Sequence, residues 1–230
     1  MLIHIINDFL FPPKCPFCGK LLTHKSYVCS DCLKTLPFIK DNSCIICGRE
    51  LEEFSHCMCA HCRGHKSYYE HSFVPLIYKD SARKAALSLK SGHPYFAKGF
   101  AYLLADKILS SPYYTDFDCI TFVPQSPRSR RSRGYNQAEL IAKELSKLMH
   151  VPCVSTLKRS NAGAPQHTLN AQQRQENVKK CYFKKADRGS GTVLLVDDIY
   201  TTGATANYCS KLLLQTGYKK VYCAIAMIAD

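Results

Sequence analysis

No run of 18 or more apolar residues occurs anywhere in these 230 residues, which excludes a membrane-spanning helix of ordinary length. The opening MLIHIINDFLFPPK has neither a basic leader nor a small-residue cleavage site, so no secretory signal is expected. The cysteines, although there are 14, do not have the spacing of a secreted disulfide framework. Acidic residues are scarce in one place. Residues 128–188 hold 14 Lys and Arg against four Asp and Glu, while 1–127 hold 14 against 11 and 189–230 three against three. Most of the formal charge of +13 therefore sits in one stretch, a reasonable footprint for a polyanion.

What is abundant is cysteine near the start. Nine of the 14 fall before residue 63, and eight of these form two tandem copies of one pattern. Cys15-x2-Cys18 is followed after ten residues by Cys29-x2-Cys32, and Cys44-x2-Cys47 after eleven by Cys59-x2-Cys62. Each CxxC turn sets two sulfurs at a bite that suits tetrahedral Zn²⁺, and two such turns close a structural site. Gly19 and Gly48 follow the first pair of each copy, where the turn calls for a left-handed residue. Structural zinc and a reducing compartment are the expectation. Spacing leaves the pairing open: each copy can close its own site, the knuckles can cross between copies, and Cys57 can replace Cys59. His56, His61 and His65 lie near enough to be ligands but read better as solvated. Two Zn²⁺ on eight thiolates lower the formal charge from +13 to about +9. A segment this short and poor in large apolar groups folds only with its metal. The other five, Cys119, Cys153, Cys181, Cys209 and Cys223, stand among apolar neighbours and read as buried thiols.

The rest of the chain reads as α/β. Apolar residues at 2–11 form a short helical stripe stopped by Pro12-Pro13, which suits docking on the protein's own core better than a membrane-surface anchor. Residues 1–66 form the expected zinc-binding domain and 67–230 a second domain. In it, Ser67–Tyr78 alternates like a strand or hairpin arm. Asp80–Lys90 has the pattern of a helix with a basic face, and a second helix places Phe96, Phe100, Leu104 and Ile108 on one side. Strands are expected at 119–123, 151–156 and 218–227, a helix with one apolar face at 138–149, and a long loop, partly helical from Ala171, at 159–180. The alternation predicts a mostly parallel sheet with helices on both faces.

The most informative stretch is VLLVDDIYTTGAT, residues 193–205. Val193, Leu194, Leu195 and Val196 predict a strand buried on both faces. Asp197 and Asp198 stand where that strand emerges, and Thr201, Thr202, Gly203, Ala204 and Thr205 lead into a helix. Free N–H groups and the positive end of the helix dipole favour a phosphate there, Gly203 allows close backbone approach, and the threonine hydroxyls add donors. Carboxylates only accept, so the acidic pair suits ribose hydroxyls. The stretch resembles the signature by which type I phosphoribosyltransferases bind phosphoribosyl pyrophosphate (PRPP), which implies a Rossmann-like domain of that fold.

With the tandem CxxC knuckles, YKDSARKAALSLKSG, RRSRGYNQAELIAKEL and QHTLNAQQRQENV in the same order, nearly the whole chain from Cys15 onward resembles the ComF family of competence proteins. The resemblance implies a role in natural transformation, handling incoming single-stranded DNA on the cytoplasmic side of the inner membrane. A membrane DNA channel or helicase is a possible partner, and the protein itself cytoplasmic or peripheral at the membrane. The alternative is an active transferase moving ribose 5-phosphate from PRPP to an acceptor. Asp197, Asp198 and Thr201–Thr205 would hold PRPP, with Mg²⁺ carried mainly by its pyrophosphate. Arg131 and Arg133 are the candidates for the pyrophosphate, because a guanidinium fork matches phosphate oxygens. Gln166, Arg174 and Asn177 fall on a loop resembling the lid of related enzymes. Arg128, Arg130, Arg131, Arg133 and Tyr135 are the candidates for single-stranded DNA. The family's Val-Pro-Val-Pro is here Val123-Pro124-Gln125-Ser126-Pro127. Thr201 stands where purine enzymes often place a carboxylate base, and it cannot take a proton at neutral pH.

Overall fold

The structure is a computed structural model and describes residues 12–23, 26–52, 57–162, 176, 178–185 and 189–229. The N-terminal stripe at 2–11, His56, and the loop candidates Gln166, Arg174 and Asn177 lie outside these residues. In the cysteine-rich part, helices α1 (Ser30–Thr35) and α2 (Ala60–Arg63) each start directly after a cysteine, Cys29 and Cys59, and carry the next one inside. Then come strands β1 (Ser72–Phe73) and β2 (Leu76–Ile77), helices α3 (Asp80–Lys90) and α4 (Ala97–Leu109), and strand β3 (Cys119–Phe122). Helices α5 (Pro127–Arg133) and α6 (Gln137–Met149) follow, then short strands β4 (Leu157–Arg159) and β5 (Tyr182–Lys184). Strand β6 (Thr192–Tyr200), helix α7 (Ala204–Gln215) and strand β7 (Lys220–Ile228) complete the order.

The main sheet runs β1-β7-β6-β3, all parallel, with β2 also on β7. Along β6 the side chains alternate between two apolar layers, each side chain there contributing about 1.5–3 kcal/mol of burial. Leu194 and Val196 face the layer filled by α3, α4 and α6. Val193 and Leu195 face the layer filled by Cys209 and Leu213 of α7. The strand is thus buried on both faces, as its run of four β-formers predicts.

Each cysteine repeat joins a different layer. Cys15, Phe17, Val28 and Cys32 pack into the first. Cys44 and Cys47 pack into the second. Gly19 and Gly48 both have positive φ, +76° and +73°, as the knuckle turns require.

Several expectations need correcting. Ser67–Tyr78 is not one arm: Pro75 interrupts it, leaving two two-residue strands that both pair with β7. No strand covers 151–156; Cys153 alone bridges Ile120 at the sheet edge, where Pro152 has no N–H to donate. That edge position leaves Cys153 half-buried, while Cys119, Cys181, Cys209 and Cys223 are buried as expected. The residues flanking the long loop form an antiparallel pair, β4 with β5, apart from the main sheet. Finally, β6 runs past the acidic pair to Tyr200. Its pairing with β3 ends at Val196, but its pairing with β7 continues through Tyr200. Asp197 and Asp198 are therefore strand residues on one side and open on the other.

Candidate functional site

The eight cysteines of the two repeats close two separate sites. The sulfurs of Cys15, Cys18, Cys29 and Cys32 lie within 4.8 Å of one another, and so do those of Cys44, Cys47, Cys59 and Cys62. Zn–S bonds of about 2.3 Å make tetrahedron edges of about 3.8 Å. The Cys18–Cys29 and Cys47–Cys59 sulfur distances, 3.5 and 3.7 Å, match that edge. The donor set fits structural zinc with no position left for substrate. Each repeat pairs within itself; Cys57 is exposed and only lends its carbonyl oxygen to the Ile45 N–H, at 2.9 Å. His61 and His65 are exposed and stack on each other at 4.4 Å, outside both tetrads.

The other centre lies beyond the C-terminal ends of β3 and β6. The chain leaves β3 through α6 on one face of the sheet and β6 through α7 on the other, and ligands of open parallel sheets bind at such a divergence. A cavity of about 400 Å³ opens there. Asp197, Asp198 and Thr201–Thr205 line it. Gly203 is left-handed at φ +75°, and any Cβ on it would overlap the Tyr200 hydroxyl. It caps α7 without a side-chain hydrogen bond, so the first N–H groups of a 12-residue helix face the cavity's wall.

The acidic pair is unequal. Asp197 Oδ1 accepts from the Asp198 N–H at 2.9 Å. Burial, then the neighbouring Asp198 charge, raises the Asp197 carboxyl well above the usual carboxylate range. Asp198 reaches Lys90 Nζ at 3.3 Å across the cavity. Lys90, at the end of the helix read as having a basic face, was not among the sequence candidates; neither was Arg159, which arrives from β4 and lies over the Tyr182 ring at 5.0 Å. Arg159 and buried Gln137 both line this cavity, and Arg159 Nε and one amide atom of Gln137 are buried without a protein partner among the described residues. Buried orphans of this kind call for a polar ligand or water.

The arginine cluster is divided by its helix. Of Arg131 and Arg133, only Arg133 lines the cavity. In the amide orientation that satisfies its neighbours, Gln125 accepts from Arg133 Nη1 and donates to the Tyr135 carbonyl, both at 2.8 Å. Of the two residues, Gln125 and Ser126, that depart from Val-Pro-Val-Pro, Gln125 is thus the one that aims Arg133. Ser126 caps α5 by accepting from the Ser129 N–H at 3.2 Å, and Pro127 takes its first turn. Arg130 turns to Glu139 at 3.4 Å. Arg128 and Arg131 are exposed. Tyr135 is half-buried, its hydroxyl donating to the Leu89 carbonyl at 2.7 Å and accepting from the Gly92 N–H at 3.0 Å. It braces the end of α3 beside Lys90.

Residues 6–63 match the family model described as a double zinc ribbon domain. The chain is 26% identical over 216 residues to competence protein F of Haemophilus influenzae, covering 91% of this chain and 82% of that protein. It is 35% identical over 101 residues to the DNA utilization protein YhgH of Escherichia coli K12, which is 44% of either chain. Among solved structures, adenine phosphoribosyltransferase of Leishmania tarentolae aligns with a TM-score of 0.36 and 12% identity, over 60% of this chain and 72% of that one. With two four-cysteine tetrads and a mostly parallel α/β sheet, the chain is headed by a double zinc ribbon and is similar to competence protein F along nine-tenths of its length.

Proposed function

We propose that the cavity between β3 and β6 binds a phosphoribosyl ligand of the PRPP class with Mg²⁺, and that the protein handles single-stranded DNA entering the cell during transformation. One observation carries the ligand reading. The acidic pair, the hydroxyl-and-glycine loop at the start of α7, and the cations Arg133, Lys90 and Arg159 converge on one cavity of about 400 Å³. The loop takes the 5′-phosphate, Asp197 and Asp198 the ribose hydroxyls, and Arg133 the pyrophosphate. Mg²⁺ is held by the pyrophosphate and ribose oxygens more than by the protein.

Binding is favoured over transfer. Among the described residues lining the cavity, the only acids are Asp197 and Asp198, already assigned to the ribose, and Thr201 is no base. Transfer of ribose 5-phosphate to an acceptor is the alternative, with Asp197 and Asp198 still the ribose ligands. The DNA role is supported by the relatives' names, competence and DNA utilization, and by the exposed arginines of α5. It places the protein at the cytoplasmic side of the inner membrane. The ribbon unit, residues 1–66, then serves to dock a membrane channel or helicase, and residues 67–230 bind the ligand.

Calorimetric titration of PRPP with Mg²⁺ tests the ligand. The wild type should bind, and Asp197→Ala with Asp198→Ala should reduce affinity at least about 100-fold, the loss of two charge-assisted sets of about 1.5–3 kcal/mol each. Unchanged binding in the double variant would remove the cradle assignment. Pyrophosphate release with nucleobases or DNA present would replace binding by transfer.

A further inference from the structure

The wall made by Tyr200, Thr202, Gly203 and Ala204 has a second side. Behind it lies another cavity, about 310 Å³, closed on one flank by α7 and on the other by the second zinc ribbon through Ile46 and Cys62. Its lining contains Lys66, Lys179 and Lys211 with Tyr68 and Tyr208, and no Asp or Glu among the described residues. Lys66 Nζ and Lys211 Nζ stand 5.2 and 5.5 Å from the centre of the same Tyr68 ring. Cation–π attraction draws each ammonium to that ring, but two like charges near one ring repel, so an anion beside them is favoured.

The aromatic is also fixed in place. The Tyr68 N–H donates to Asn207 Oδ1 at 2.8 Å, and Asn207 Nδ2 donates to the Lys66 carbonyl at 2.9 Å. Residues 66–68 are thereby tied to the first turns of α7, with Tyr68 half-buried. A solvated basic face would scatter its lysines over open surface. Here they gather around tyrosines in a concavity, the combination of phosphate contact and stacking platform that single strands require.

We propose that this cavity takes a nucleotide unit of single-stranded DNA, with its phosphate against Lys66 and Lys211 and its base against Tyr68. The inference rests on the reading that the protein handles single strands, and moves a principal contact from the α5 arginines to the junction of ribbon and α7.

Fluorescence anisotropy of a labelled oligothymidylate of about 20 nucleotides, across a salt series, tests it. The combined Lys66→Ala, Lys179→Ala and Lys211→Ala variant should bind at least about tenfold more weakly at low salt. Its slope of log affinity against log salt should shrink by about 0.7, the share of the one phosphate contact that is lost. Tyr68→Leu should weaken binding about fivefold or more with the slope unchanged. Both variants should keep two zinc ions and the wild-type heat of PRPP binding. If the wild type binds the strand and the triple variant matches it in affinity and slope, this inference falls and the single-strand reading stands. If the wild type binds no strand, that reading falls and takes the inference with it. If only thymidine 5′-monophosphate, and not the oligonucleotide, loses binding in the triple variant, the cavity serves a free nucleotide and the inference is overturned.

Discussion

The first ribbon meets the sheet domain through apolar contacts, with Phe17 edge-on to Phe100 at 5.3 Å and Pro16 against Gly99, where a Cβ would come within 2.5 Å of its ring. The second adds polar contacts to its apolar packing. His71 donates from Nδ1 to the Ile45 carbonyl, and Arg49 donates to the Ala229 carbonyl at 3.3 Å. Four cysteines at nearly the same spacing therefore make a bolt in one case and a cavity wall in the other. The metal sets the local turn in both, and the residues between the knuckles decide what that turn is attached to.

The largest test is loss of a zinc ligand. Cys15→Ser and Cys44→Ser should each lower bound zinc from two ions to one, measured by metal analysis of the purified protein. Structural zinc is worth about 10–16 kcal/mol in isolated fingers, so each variant should lose several kcal/mol in denaturant unfolding. The difference lies in binding. Cys44→Ser removes the wall formed by Ile46 and Cys62 and should cost oligonucleotide affinity wherever the protein still folds, whereas Cys15→Ser should leave it near wild type. Equal losses of affinity in the two variants would break the comparison.

A finer contrast comes from two glycines at equivalent positions of the repeat. Gly19 has φ +76° and open space where a methyl group would stand, with nothing within 4 Å. Gly48 has φ +73°, but a Cβ there would lie 2.7 Å from Val74 Cγ2 and 3.1 Å from the Ser72 carbonyl oxygen. Gly19→Ala should therefore cost about 1–2 kcal/mol, the strain of a left-handed residue. Gly48→Ala adds overlap at the ribbon–sheet contact, for a total of about 2–5 kcal/mol. Urea unfolding of the two variants measures the gap, and equal midpoints would mean the second ribbon does not press on β1 and β2.

This pair also marks how far the sequence carries. The knuckle turns and their glycines follow from spacing, because turn geometry is local, whereas which knuckles share a tetrad comes from the structure. The acidic pair and the loop into α7 are legible for the same reason. What surrounds them is not local. Lys90 and Arg159 reach the cavity from elements about 70 residues apart, brought together only by the order of strands. Strands β4 and β5, three residues each and rich in lysine and arginine, have no hydrophobic period to announce them. Gln125 had a signal, standing between Pro124 and Ser126 where the family pattern has valine, but its task of aiming Arg133 needs coordinates. The different docking of two like ribbons has no signature at all in cysteine spacing.

The smallest effect concerns the polar side of that docking. His71 is 8% exposed, stacked on Tyr113 at 4.4 Å, and burial holds its pKa below the ordinary histidine value despite the hydrogen bond to Ile45. The unfolded chain protonates this imidazole near pH 6.5, while the folded protein resists until a lower pH. Its contribution is thus complete above about pH 6.5 and is lost as the pH falls below it, levelling off at the folded pKa. The slope cannot exceed about 1.4 kcal/mol per pH unit for one proton. The zinc thiolates also take up protons as the pH falls, in wild type and variant alike, so the informative quantity is the difference between the two. His71→Asn keeps a donor for the Ile45 carbonyl without the titration. Unfolding midpoints from pH 7.5 down to about 5.5 should fall more steeply in the wild type than in this variant. Parallel lines would show that the proton on His71 has no part in holding the second ribbon to the sheet.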